Sequence, residues 1–264
     1  MDSYKIISDI EKNHISALAR KGQRIDGRGF KDFREISIET DYIPKAEGSA
    51  RAFLGKTQLV AGVKVSIGTP YPDTPNSGVI TVNTELSPMA APHFESGPPG
   101  EESVEVARVV DRGIRHSDII DKKTLVIIPG KKVFIIFVDL YVLSYDGNMF
   151  DVGELAAVKA LCTTKIPKIE VVDGEVKVNK ELNPLEIMDY PVSVTLAKIG
   201  NALLVDPNAN ETRVLDSRIT LTLNAKNEIV SMQKGGAGTF TVDEISEAIE
   251  TAQEISPKLR EYYK

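Results

Sequence analysis

The sequence predicts an α+β protein made of two sheet-and-helix lobes, and three observations carry that prediction. Glu35 to Leu86 is a run of strand signals, with Leu59, Ala61, Val63, Val65 and Ile67 recurring at every second position. Val133 to Ala160 reads as a buried strand, a tight Asp146-Gly147 turn and then an apolar helix from Met149. Val192 to Met232 holds a second set of strands, followed by a helix capped at Thr241.

Composition bounds the rest. With 264 residues, 42% of them hydrophobic, the chain can bury a full core without staples. A single cysteine, Cys162, rules out a disulfide framework and fits a reducing compartment. Met1 to Arg20 is polar and amphipathic, and the longest apolar run, Leu125 to Leu143, is broken by Pro129-Gly130 and Lys131-Lys132. A soluble, cytoplasmic protein is expected. The net charge of −6 and pI of about 5.3 argue against a general nucleic-acid binder. Any RNA contact must then come from a local basic cluster or from a partner subunit.

In chain order, Ser3 to Lys21 has apolar positions at helical spacing, with Gly22 as a stop. Arg24 to Gly29 is a compact charged turn whose composition favours a solvated linker, Asp26 pairing with an arginine. Ile36 and Ile38, then Ser49 to Leu54 and Gln58 to Ile67, are strands, the last two joined at Gly55-Lys56-Thr57. Two proline-rich loops flank a strand over Val79 to Leu86. Glu101 to Ser117 is an amphipathic helix on which Arg108, Arg112 and Arg115 form one stripe. That stripe reads either as a ridge for a phosphate backbone or as a solvated face paired with Glu105 and Asp111. Lys168 to Val178 reads as a hairpin turning at Asp173-Gly174, and Pro184 to Tyr190 as a connector. Strands are expected over 192–198, 202–205, 215–223 and 228–232. Gly235 to Gly238 lacks the lysine and hydroxyl of a nucleotide loop. His14, His93 and His116 show no metal-ligand spacing.

The turn before Met149 has the architecture of an anion site, because free N–H groups and the helix dipole point out of it. The residues there, Asn148, Met149 and Phe150, cannot clamp a phosphate, and Asp151 and Glu154 lie just behind.

Four stretches in order resemble the RNase PH family of phosphate-dependent 3′→5′ exoribonucleases. They are Arg24 to Arg28, Glu47-Gly48-Ser49-Ala50, the 86–97 segment leading into the 101–117 helix, and Val142 to Ala160. Within that family the chain is most similar to the non-catalytic ring subunit of the archaeal exosome, with Asp73-Thr74-Pro75-Asn76 and Ala107-Arg108-Val109-Val110-Asp111-Arg112 as tokens. The resemblance implies an RNase PH-like fold whose first lobe is like domain 2 of ribosomal protein S5. It divides the chain into an N-terminal helix over 1–23, a first lobe over 24–185 and a second lobe with its terminal helix over 186–264.

Departures from the family pattern fall on its active site. The Gly-Ser-Arg phosphate turn of active relatives aligns with Asn148, Met149 and Phe150, a degenerate phosphate site. Their two catalytic aspartates fall near Thr212 and Arg218, with Asp216 close by, and their RNA-gripping arginine pair is replaced by Glu101-Glu102. No catalytic residue, metal or cofactor is therefore expected, inorganic phosphate being used by a partner. The resemblance implies a pseudo-enzyme alternating with a catalytic homologue in a ring of three heterodimers, beneath RNA-binding cap subunits. Arg112, Arg108 and more weakly Arg115 would line the path of single-stranded RNA. Two other readings stand beside it: a phosphorolytic exoribonuclease active in its own right, and a small-ligand module or metabolic enzyme on a similar fold.

Overall fold

The computed structural model describes residues 9–172 and 175–264. Helix α1 (Asp9–Arg20) precedes β1 (Ile36–Thr40), β2 (Gly48–Leu54), β3 (Thr57–Gly68) and β4 (Val79–Leu86). Then come α2 (Glu101–His116), β5 (Val126–Ile128), β6 (Lys132–Ser144) and α3 (Met149–Thr163). A hairpin, β7 (Lys165–Val172) and β8 (Glu175–Pro184), leads to β9 (Val192–Ile199), β10 (Ala202–Val205) and α4 (Ala209–Val214). Strands β11 (Ser217–Leu223) and β12 (Ile229–Gly235), helix α5 (Val242–Arg260) and a 3-10 turn (Glu261–Tyr263) complete it. The α+β expectation holds. The start of the expected first helix, residues 3–8, and the Asp173-Gly174 turn lie outside the described residues.

The first sheet runs β1-β2-β3-β6-β4, with β5 beside β6, and the second runs β10-β9-β11-β12. Strand β6 lies inside the first sheet, between β3 and β4, and its inward row of Phe134, Ile136, Val138, Leu140 and Val142 is buried. It pairs antiparallel with β3 and parallel with β4. Helix α3 is buried along almost its whole length because it packs on β2 and β3 of one sheet and β9 of the other. Helix α2 also bridges the sheets, touching β4, α3 and β12. A helix apolar on most faces is what this middle position demands. The second sheet is covered by α5, which starts with the expected capping box between Thr241 and Glu244.

The structure corrects three expectations. The 168–178 hairpin is longer on both sides, because Lys165 pairs with Pro184, so Pro184 ends a strand rather than opening a connector. The 215–223 strand starts at Ser217, since Leu215 caps α4. Helix α4 and the three-residue β5 were not anticipated: each is too short for periodicity to show.

Close packing of β2 on α3 depends on Gly48, where a Cβ would meet the Thr164 hydroxyl and the Ala160 carbonyl. Gly48→Ala is expected to destabilise the chain by about 1–3 kcal/mol. A lower urea midpoint with an unchanged denaturant slope is the expected readout.

Candidate functional site: a filled anion turn and an arginine ridge

The turn between β6 and α3 closes on the second lobe. Gly147 adopts φ +83°, and a Cβ there would strike the backbone of residues 207–209. Asn148 follows at φ 52° and acts as the α3 N-cap, its side-chain oxygen accepting from the Asp151 N–H. A short polar side chain tolerates this left-handed geometry. Its amide nitrogen donates to Asp151 Oδ2 and to Asp206 Oδ1, both at 2.8 Å. Asn148, Met149 and Phe150 are all buried. Two carboxylates and an asparagine thus occupy the mouth of the helix, where an external anion would otherwise bind.

Asp206 sits at the centre of a buried ionic knot. Its carboxylate accepts from Arg34 Nε at 2.9 Å and Nη2 at 2.7 Å, from the Arg34 N–H at 2.9 Å, and from Arg28 Nη1 at 2.9 Å. Arg24, buried behind it, makes a bidentate pair with Glu211 at 2.8 and 2.6 Å and donates to the carbonyls of Val205 and Asp206. The Arg24 to Gly29 segment is therefore no solvated linker. The expected Asp26–Arg28 pair exists at 2.8 Å, but the segment is a clamp on the second lobe. Sequence reasoning missed this because Glu211 lies 187 positions from Arg24.

Burial alone would raise the Asp206 carboxyl, yet the hydrogen bonds and charge of Arg34 hold it below the usual carboxylate range. Asp151 is pushed the other way, to about 7, by burial; donors from Asn148 and Thr195 only partly offset this, and the Asp206 charge adds to it. Glu154 is extreme. Both its oxygens are buried without a hydrogen-bond partner, against Gly113 of α2. Burial, then the charges of Asp151 and Asp111, raise it well above its ordinary range.

The ridge divides. Arg115 pairs with Asp111 at 2.5 Å, as the solvated-face reading expected. Glu105 does not pair with the stripe: it binds Arg218 of β11 at 2.5 Å. Arg112 donates to Gln233 Oε1 at 2.6 Å and to the Arg108 carbonyl at 3.2 Å. Arg108 is exposed and makes no ion pair among the described residues. Arg108, Arg112 and Arg115 line a cleft of about 640 Å³ with Gln233, Glu101 and Glu105. Of the two residues near which the family's aspartates were expected, Thr212 lies in α4, and Arg218 sits over Phe150 with 4.4 Å to the ring centroid. Among the described residues no helix is long and apolar enough to cross a membrane.

Two sheets sharing middle helices, with the helix mouth of an anion site between them, define an RNase PH-like protein. The chain belongs to the 3′ exoribonuclease (RNase PH) family, whose domain 1 matches residues 32–167 and whose domain 2 matches residues 189–255. It is 47% identical over 262 residues to the exosome complex component Rrp42 of Thermococcus gammatolerans, covering 98% of this chain and 96% of that protein. To the component of the same name from Methanothermobacter thermautotrophicus it is 50% identical over 258 residues, covering 97% and 95%. Among solved structures, a chain of the Archaeoglobus fulgidus exosome with RNA bound to the active site superposes with a TM-score of 0.90. The identity is 46%, over 97% of this chain and 98% of that one. Rice Rrp46, at 18% identity and a TM-score of 0.68 over 91% and 98%, shares the fold.

Two stability experiments follow from the buried charges. Asp206→Asn leaves Arg34 without its nearest counter-charge and Arg28 with only Asp26 close by, and is expected to cost about 3–5 kcal/mol in unfolding free energy. For Glu154, the unfolded carboxyl loses its proton near 4.5, whereas the folded one keeps it to much higher pH. Between those limits the native state holds the extra proton. Its stability is full below 4.5 and falls as pH rises, by up to about 1.4 kcal/mol per unit. Glu154→Gln stays neutral, so it should flatten that decline and be more stable than the parent at pH 8. Urea titrations at pH 5 and pH 8 measure both slopes.

Proposed function

We propose that this chain is a non-catalytic subunit of a phosphate-dependent 3′→5′ exoribonuclease ring, the exosome. The observation that carries the reading is the filled anion turn. Phosphorolysis needs a phosphate ion held beside the terminal phosphodiester by fixed donors, and an acid for the leaving nucleotide. Here the helix N-terminus is capped by Asn148 and faces Asp151 and Asp206, so a further anion would meet two carboxylates. The side chains of Phe150 and Met149 supply no donor, and Arg218, near the expected position of an acid, sits over Phe150 and is ion-paired. The names of the relatives, exosome complex component Rrp42, support membership of the same assembly.

In this reading the chain alternates with a catalytic homologue, three copies of each, under RNA-binding caps in the cytoplasm. It carries no metal or cofactor of its own. The family division into a 1–23 helix, a 24–185 lobe and a 186–264 lobe places the knot at Asp206 across the lobe junction. Arg108 and Arg112 face single-stranded RNA with their charges uncompensated; Arg115 contributes less because Asp111 neutralises it. Co-expression with the homologue, followed by mass measurement and phosphorolysis assays on each chain alone and on the mixture, tests the whole. An inert chain that forms a heterohexamer and activates its partner supports the proposal. Nucleoside diphosphate release by this chain alone, or a monomer that binds a metabolite and ignores the homologue, overturns it.

Arg112→Ala is expected to weaken RNA binding by the assembled ring and to lower the slope of log affinity against log salt by about 0.7. Filter binding of single-stranded RNA over a salt series checks both. An unchanged slope returns Arg112 to the solvated face.

A further inference from the structure

Arg108 stands between two acids that could silence it. Glu105 lies three residues before it and Asp111 three residues after, both offsets that place side chains together on a helix. Neither acid takes it. Asp111 is held by Arg115, and Glu105 by Arg218 from the second sheet. The hold on Glu105 is built into that sheet. The Arg218 guanidinium carbon sits over the Phe150 ring, 4.4 Å from its centroid. It also fills the space over Gly235, its cross-strand partner, where a Cβ would collide with it. The Arg218 side chain is only 16% exposed, so its rotamers are confined. Arg112 is treated differently: Gln233 orients it with a neutral amide oxygen, which leaves its charge in place.

We propose that Arg218 is a positioning residue for RNA binding: it holds Glu105 away from Arg108, so that Arg108 meets a phosphate with its charge free. This rests on the reading of Arg108 as part of the RNA path. Released from Arg218, the Glu105 carboxylate pairs with Arg108 one turn away, and a phosphate must displace it. The charge of a ridge on the first lobe is thereby set by a residue of the second.

The test uses the ring reconstituted with its catalytic homologue and a labelled single-stranded oligoadenylate, bound over a salt series. R218M keeps an apolar contact on Phe150 and removes the charge. It is expected to weaken binding and to lower the salt slope by about 0.7, as R108A does. R218M/E105Q is expected to restore both, which neither a structural role nor a direct phosphate contact of Arg218 would allow. Wild-type binding by R218M beside a weakened R108A overturns the role of Arg218 alone. A weakened R218M that E105Q does not restore overturns it too, as does failure of both R218M and R218Q to assemble. Unchanged binding by R108A overturns the RNA-path reading itself, and this proposal with it.

Discussion

The buried carboxylate of Asp206 is the constraint on which the rest of the structure depends. Its ligands come from two separate stretches, Arg28 and Arg34 before the first sheet and Asn148 at the α3 cap, while the carboxylate itself follows β10. A carboxylate with no exposed surface is tolerable only if its charge is met and its lone pairs are filled. Satisfying that condition fixes how the 24–34 segment, the middle helix and the second sheet sit together. Arg24 and Glu211 repeat the pattern one layer deeper. The lobes are joined by charge as much as by apolar packing.

The same arrangement fills the anion turn. A helix N-terminus gains from nearby negative charge, whatever its source. In this chain the source is internal: Asp151 and Asp206 lie at hydrogen-bond distance from the capping Asn148, and Arg34 holds the Asp206 carboxyl below the usual range. An inorganic phosphate arriving there would have to approach two carboxyl groups and would meet no cationic side chain on Asn148, Met149 or Phe150. The groups that crowd this helix mouth are also those that hold the 24–34 segment, α3 and the second sheet together.

What was legible in the sequence was local. Strand alternation over 59–67, the apolar helix after Asp146-Gly147 and the Thr241 capping box each declare themselves within a dozen residues, and each is found in the structure. The degeneracy of Asn148, Met149 and Phe150 could be read as chemistry without coordinates. Partners distant in sequence could not be read. Nothing near Arg24 marks it as buried, and nothing near Glu105 says that Arg218 claims it. The Asn208-x-x-Glu211 spacing is a capping signal that could have found α4. Its single turn and a half is too short for the apolar period that was being sought.

An acidic chain can present a basic ridge because net charge and local charge are different quantities. At physiological salt, screening limits the reach of an exposed charge to about 8 Å, so the remaining acids of a chain at −6 are mostly irrelevant to a phosphate at α2. What matters is which charges within that radius are already paired. On this ridge Asp111 neutralises Arg115, Glu105 is spent on Arg218, and Gln233 aligns Arg112 without neutralising it. Substituting a carboxylate for that amide would neutralise Arg112 and leave the ridge to Arg108. The ridge is therefore defined less by the number of its arginines than by where their nearest acids have been sent.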